Sequence, residues 1–189
     1  MNKKKYGVII ARLQPIHNGH LVLVEDALKT NDYVLLLVGS ADKLNKRNPI
    51  PVKMRVEMAE QAIIEKFGEE EAKRVIIVAL DDLTDESDNS HDWGFYLYTN
   101  IVKYTNNARF SIYYSDGFEI IMSWFPPFVT KNFVSFILLA RGGIYDNLSA
   151  TKVRSMIVNG LDDELKEAVP ACVYEKRAIL RQFIDAYFV

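Results

Sequence analysis

Apolar residues fall along the chain in two alternating patterns. Short continuous runs occupy residues 7–11, 33–38, 75–80, 110–114 and 134–139. Runs of this length, rich in Val, Ile, Leu and aromatics and closed by turn formers such as Gly39-Ser40, read as parallel strands covered on both faces. Between them lie stretches with helical spacing. These are residues 20–30, residues 52–67 with Met54, Met58, Ala62 and Ile63 in register and Gly68 near the end, and an aromatic-rich 93–104. A short helix or turn follows at 117–124. Residues 151–159 open a terminal helical region that breaks at Pro170 and resumes to residue 186.

Strands alternating with helices imply right-handed crossovers and a doubly wound parallel α/β sheet with C-terminal helices. The expected organisation is one domain over residues 1–189, its helical part beginning near 151. Residues 42–50 form a basic loop that ends at two prolines, and residues 81–92 an acidic one. Ligands of such sheets bind outside the carboxyl ends of the strands, at the switch point. The loops after the first three strands, at 12–20, at Gly39-Ser40 and at Asp81-Asp82, should therefore line one crevice.

Composition narrows the classes. A net charge of −2 over 189 residues lacks the basic excess of a nucleic-acid binder. A single cysteine, Cys172, excludes an internal disulfide and a multi-cysteine metal site, and reads as a small semi-buried apolar residue. Lys3, Lys4 and Lys5 precede an apolar run too short for a secretion signal and broken by Arg12. No apolar run reaches the roughly 18–20 residues of a membrane helix. The expectation is a cytoplasmic protein with neither a membrane nor a nucleic-acid partner.

The chemistry concentrates where the first strand meets the first helix, in Arg12-Leu13-Gln14-Pro15-Ile16-His17-Asn18-Gly19-His20. Helix N-termini expose unpaired N–H groups and partial positive charge, so two imidazoles and an arginine there suit a phosphate. The plainer alternative has one histidine capping the helix and the other on the surface. H-x-x-H also occurs in metal sites, yet only His91, in the acidic loop, remains as a third histidine. A second cluster, Leu148-Ser149-Ala150-Thr151-Lys152-Val153-Arg154, offers a capping serine, first-turn N–H groups, two hydroxyls and two cations. By itself it reads as an ordinary helix cap.

Together, in this order, H-x-G-H and [ST]-x-T-x-x-R resemble the signatures of the nucleotidylyltransferase superfamily. Within it the chain is most similar to nicotinamide-nucleotide adenylyltransferases of the archaeal type. Supporting residues are the 12–17 stretch, Gly39-Ser40-Ala41, Arg47-Asn48-Pro49, Asp81-Asp82, Trp93 and Tyr114-Ser115-Asp116. Pro126-Pro127 and Arg141-Gly142-Gly143 fit loosely. The chain departs from the pattern at Ala11, Leu13, Asp116 and in the longer, more acidic loop 84–90.

The resemblance implies a Rossmann-like nucleotidylyltransferase fold, and transfer of AMP from ATP to nicotinamide mononucleotide, giving NAD and pyrophosphate. It implies catalytic roles for His17, His20 and Arg12. ATP would be held by Ser149, Thr151, Lys152, Arg154 and Gly19. The acceptor would be held by Arg47, Asn48, Asp81 or Asp82, and Trp93, for which core packing is an equal alternative. Tyr114 and Trp124 read better as core. Mg²⁺ would ride on the ATP phosphates, and relatives of this type commonly form homo-oligomers. Alternatives are another acceptor (nicotinate mononucleotide, FMN or phosphopantetheine) or a nucleotide-binding regulator without chemistry.

Overall fold

A computed structural model describes residues 4–85, 87–106, 109–139 and 148–187. Its strands are β1 (Tyr6–Ala11), β2 (Tyr33–Val38), β3 (Val75–Ala79), β4 (Phe110–Ser115) and β5 (Val134–Leu139). The intervening helices are α1 (Asn18–Thr30), α2 (Val52–Ala72), α3 (His91–Thr105), α4 (Ile121–Trp124) and α5 (Pro127–Asn132). Four more close the described chain: α6 (Ala150–Asn159), α7 (Asp162–Ala168), α8 (Ala171–Glu175) and α9 (Arg177–Asp185). All strands pair in parallel in the order β3-β2-β1-β4-β5. This is the doubly wound arrangement that the apolar runs imply, with its switch point between β1 and β4.

Alternate strand residues feed two apolar layers. Ile9, Val34, Leu36, Val38 and Tyr113 pack with α1, α2 and the terminal helices, through Val24, Met58, Val153, Leu165, Val173 and Leu180. Val8, Leu35, Leu37, Ile112 and Tyr114 pack with α3, α4 and α5, through Leu97, Ile101, Ile121 and Val129. Because both faces are covered, the central strands are apolar without alternation; each fully buried aliphatic side chain contributes about 1.5–3 kcal/mol.

The edges depart from expectation. β3 reads as a buried strand in sequence, yet it is an edge strand and only half-buried. Ile137 and Leu138 of β5, on the opposite edge, are exposed. An apolar run marks a strand, while its position in the sheet decides how much of it is covered. α2 also runs past residue 67, with Gly68 at φ 79 breaking the helical geometry inside it. Only residues 121–124 of the 117–124 stretch are helical, and α5 starts separately with a proline in its first turn. Among the described residues no helix is long and apolar enough to cross a membrane.

Two packing details concern single residues. Cys172 is buried, and burial next to Glu65 pushes its thiol up to about 12, so it remains an inert thiol. Gly94 brings α3 against the Trp124–Phe125 backbone so closely that a Cβ there would collide with the Trp124 carbonyl. Gly94→Ala should therefore destabilise the protein by about 2 kcal/mol or more through overpacking, read as a lowered urea midpoint. An unchanged midpoint would show that α3 and α4 are free to part.

Candidate active site

β1 and β2 stay paired along their whole length, to Ala11 and Val38, and β4 and β5 to Ser115 and Leu139. β1 and β4 pair only through Tyr6, Gly7 and Val8. Beyond Val8 the two central strands part, because α1 follows β1 onto one face and α4 follows β4 onto the other. The gap opens into a crevice of about 1080 Å³, lined by residues 9–14 on one side and 113–115 on the other. That exceeds the roughly 300–1,000 Å³ typical of a single small-ligand pocket, leaving room for more than one ligand.

At its head, α1 begins with His17 as N-cap in extended conformation. The His17 backbone N–H donates to Nδ1 of His20 at 3.2 Å, and the two rings lie with centroids 3.8 Å apart. With Nδ1 engaged as acceptor, neutral His20 carries its proton on Nε2, as a donor. Gly19 completes the arrangement: a Cβ there would come within 3.1 Å of the His17 ring, tighter than ordinary contact. The glycine of H-x-G-H is thus a matter of space for an imidazole laid over the first helical turn. His17, Gly19 and His20 all line the crevice.

Cations and a second helix start line the same crevice. Arg12, Arg47 and Arg154 line the crevice with Leu148, Ser149, Ala150 and Thr151. Ser149 Oγ accepts the N–H of Lys152 at 3.3 Å, capping α6 and leaving its own O–H to donate. Arg154 donates to the Gln14 carbonyl at 2.9 Å and to Thr151 Oγ1 at 3.3 Å. Burial pulls its pKa below the usual arginine value, though a guanidinium remains charged in a protein. Asn18 Nδ2 donates to the Glu167 carbonyl at 2.8 Å, fastening the start of α1 to α7.

The crevice also has aromatic and acidic walls. Trp93 and Trp124 meet edge to face at 6.2 Å, Phe118 stands against Trp124 at 5.4 Å, and Trp124 Nε1 donates to Asn89 Oδ1 at 2.8 Å. Trp93, Trp124 and Tyr114 are buried and also line the crevice, so core packing and a ligand wall are not exclusive here. Asp82, Asp85 and Asp88 line the crevice as well. Hydrogen bonds from Ser87 hold Asp85, and those from Ser90 and Thr84 hold Asp88, below the usual carboxylate value, so both are charged.

Three residues expected at the site lie off its wall. Lys152 is exposed on α6, its N–H consumed by the Ser149 cap. Asn48 is fully buried and shapes the 42–50 loop, exchanging backbone hydrogen bonds with Asn45. Asp81 is exposed, and its neighbour Asp82 faces the crevice instead, taking the Ser40 hydroxyl at 3.1 Å. Arg141-Gly142-Gly143 lies outside the described residues. Gln14 and Arg55 carry structure that the sequence reading did not assign. Gln14 exchanges two hydrogen bonds with the Ile50 backbone, at 3.0 and 3.2 Å, holding the 42–50 loop. Arg55 sits behind the crevice, fully buried. An arginine within an apolar helical face is the one sequence signal that could have marked it.

A switch-point crevice lined by two histidines, three arginines and two helix N-termini defines an α/β protein of the nucleotidylyltransferase fold. The sequence model of the cytidylyltransferase-like family matches residues 9–156, and the chain belongs to that family. It is 28% identical over 177 residues to the nicotinamide-nucleotide adenylyltransferase of Thermococcus kodakarensis, covering 90% of this chain and 81% of that one. In structure it resembles a bifunctional NMN adenylyltransferase/ADP-ribose pyrophosphatase from Francisella tularensis, with TM-score 0.71 and 23% identity over 96% of this chain. The same Francisella protein complexed with AMP and a manganese ion aligns with TM-score 0.70, 22% identity and 97% coverage of this chain. The chain spans about half the length of that bifunctional protein.

Gly19→Ala isolates the geometry of the helix start. Alanine favours the helix by about 1 kcal/mol over glycine, so the thermal midpoint should hold or rise. The His17 ring should nevertheless move, read as shifted imidazole ¹⁵N resonances for His17 and His20. Unchanged resonances would show that the ring does not depend on the missing Cβ.

Proposed function

We propose that the protein transfers the adenylyl group of ATP to nicotinamide mononucleotide, forming NAD and pyrophosphate. The observation that carries this reading is the crevice itself, lined by two imidazoles, three arginines and two helix starts together with an aromatic wall and three carboxylates. The curated relatives' activity points the same way. An oxygen of the mononucleotide 5′-phosphate attacks the α-phosphorus of ATP, and the bond from that phosphorus to the bridging oxygen of pyrophosphate breaks. The attacking phosphate is largely dianionic at neutral pH, so no general base is needed. What the reaction needs is alignment of two anions and neutralisation of the leaving charge.

The residues divide along that line. His20 Nε2–H and the His17 ring face the transferring phosphate, with the amides of α1 behind them. Arg154, the Ser149 and Thr151 hydroxyls and the start of α6 take the terminal phosphates of ATP. Arg12 and Arg47 steady the phosphates of the two substrates. The pyridine ring of the acceptor stacks by Trp93 and Trp124. The carboxylates of Asp82, Asp85 and Asp88 suit the cationic pyridinium of nicotinamide mononucleotide and disfavour the extra carboxylate of the nicotinate analogue.

Among the described residues no three His, Cys, Asp or Glu side chains gather into a metal-holding set. A divalent ion therefore fits as one carried on the ATP phosphates with its own waters. Mg²⁺ bound in that way neutralises phosphate charge.

The test is pyrophosphate release with ATP and Mg²⁺ and a panel of nicotinamide mononucleotide, nicotinate mononucleotide, FMN and phosphopantetheine, repeated with CTP. Release with nicotinamide mononucleotide, in preference to the nicotinate form, is expected. Release only with another acceptor would move the activity elsewhere in the family, and silence with ATP bound would indicate a nucleotide sensor. His20→Ala should lower kcat about 10²–10³-fold, the usual loss for one preorganised donor; full turnover would remove His20 from the chemistry. Arg154→Ala should raise the KM for ATP, and an unchanged KM would displace it from the triphosphate.

A further inference from the structure

Arg55 is the one arginine or lysine in the buried core among the described residues, with no exposed surface. It lies on the first turns of α2, where the positive end of the helix dipole gives a cation no help. Desolvation, and then the like charge of Arg12, pull its pKa down to about 10, against the pull of Asp82. An apolar side chain of similar length would avoid these costs, so the guanidinium must secure something that methylene groups cannot.

Its hydrogen bonds show what that is. One terminal nitrogen, Nη1, donates to the Arg12 carbonyl at 2.7 Å and to the Gly39 carbonyl at 2.8 Å. The other, Nη2, donates to the Ser40 carbonyl at 2.9 Å. Arg12 is the first residue beyond β1, and Gly39 and Ser40 are the first beyond β2. Ser40 is held at φ 50, a conformation uncommon for a residue with a side chain, and from it the hydroxyl reaches Asp82 beyond β3. A single planar group thus ties together the carboxyl ends of β1 and β2 and, through Ser40, that of β3. A lysine ammonium lacks the rigid fork that such geometry uses.

We propose that Arg55 is a positioning residue for adenylyl transfer: it fixes the Arg12 backbone so that the Arg12 side chain meets the transferring phosphate. The proposal rests on the adenylyl-transfer reading above. Arg55 touches no substrate. Its effect travels through the main chain of Arg12 and the turn at Gly39-Ser40.

The experiment compares wild type, Arg55→Lys, Arg12→Ala and the double variant, by steady-state kinetics with ATP and nicotinamide mononucleotide and by circular dichroism. Arg55→Lys should keep the wild-type spectrum and lose about 10²-fold in kcat, the scale of a displacement of roughly 1 Å at a reacting centre. Its KM values should change less than about threefold. In the Arg12→Ala background the same substitution should lower kcat less than about threefold, because the group it positions is gone. Wild-type kcat in Arg55→Lys, or an equal loss in both backgrounds, would overturn the proposal.

Should Arg55→Lys fail to fold, the side-chain ¹⁵N spectrum of the unmodified protein decides. Resolved Arg55 Nη signals protected from solvent exchange are expected. One averaged, rapidly exchanging signal would overturn the clamp. Inactivity of the wild type would refute the assigned reaction, and the Nη signals would still report on the clamp separately.

Discussion

The parting of β1 from β4 after Val8 is the constraint on which the rest of the molecule depends. In a parallel sheet every interior strand is normally paired on both sides to its end. Here the two central strands send their following helices to opposite faces, so their carboxyl ends cannot remain hydrogen-bonded to each other. The backbone groups freed by that divergence, the loops that leave it and the helix start at His17 all open on one gap. Many crevice residues lie on a strand end, or on the turn directly after one.

What fills the gap follows from how those turns are held. The chain spends unusual conformations here: Leu13 and Ser40 both sit at φ 50 without being glycine. Such positions persist only when their surroundings fix them. Arg55 and Gln14 do so, through hydrogen bonds to the main chain of the neighbouring loops, and Arg154 adds a third tie at the Gln14 carbonyl. The loops of the site are therefore held by the protein's own hydrogen bonds, which suits a reaction whose barrier is lowered by alignment and fixed charge.

Charge of both signs is concentrated in the crevice. Arginines, imidazoles and two helix N-termini line it, and so do Asp82, Asp85 and Asp88. The near-zero net charge of the chain conceals this concentration. Fixed charges of both signs suit a ligand with an anionic phosphate and a cationic ring.

Much of this was legible in the residues. The strand runs, the order of elements, the helix start at H-x-G-H and the capping serine at 149 are local, set by periodicity and by a few side chains near in sequence. The placement of His17, Gly19, His20, Arg12, Arg47, Ser149, Thr151, Arg154 and Trp93 around one crevice follows from that order together with the switch-point rule. Several features are not local. Lys152 and Asp81 read as ligand-facing, but which of two adjacent residues faces inward depends on a helical turn or a loop path set by distant contacts. Asn48 reads as a polar ligand, and it is buried in its own loop with its backbone bonded to Asn45. Arg55 shows in the sequence only as a cation on an apolar helical face, because its partners, the carbonyls of Arg12, Gly39 and Ser40, are backbone groups that no pattern of side chains encodes. By itself the sequence determined the strands, the helices and the chemistry available at their ends, since these rest on propensity and local spacing. Only the tertiary structure decided which strands lie at the edges, where the sheet opens and which buried group holds it open, because those depend on contacts between segments tens of residues apart.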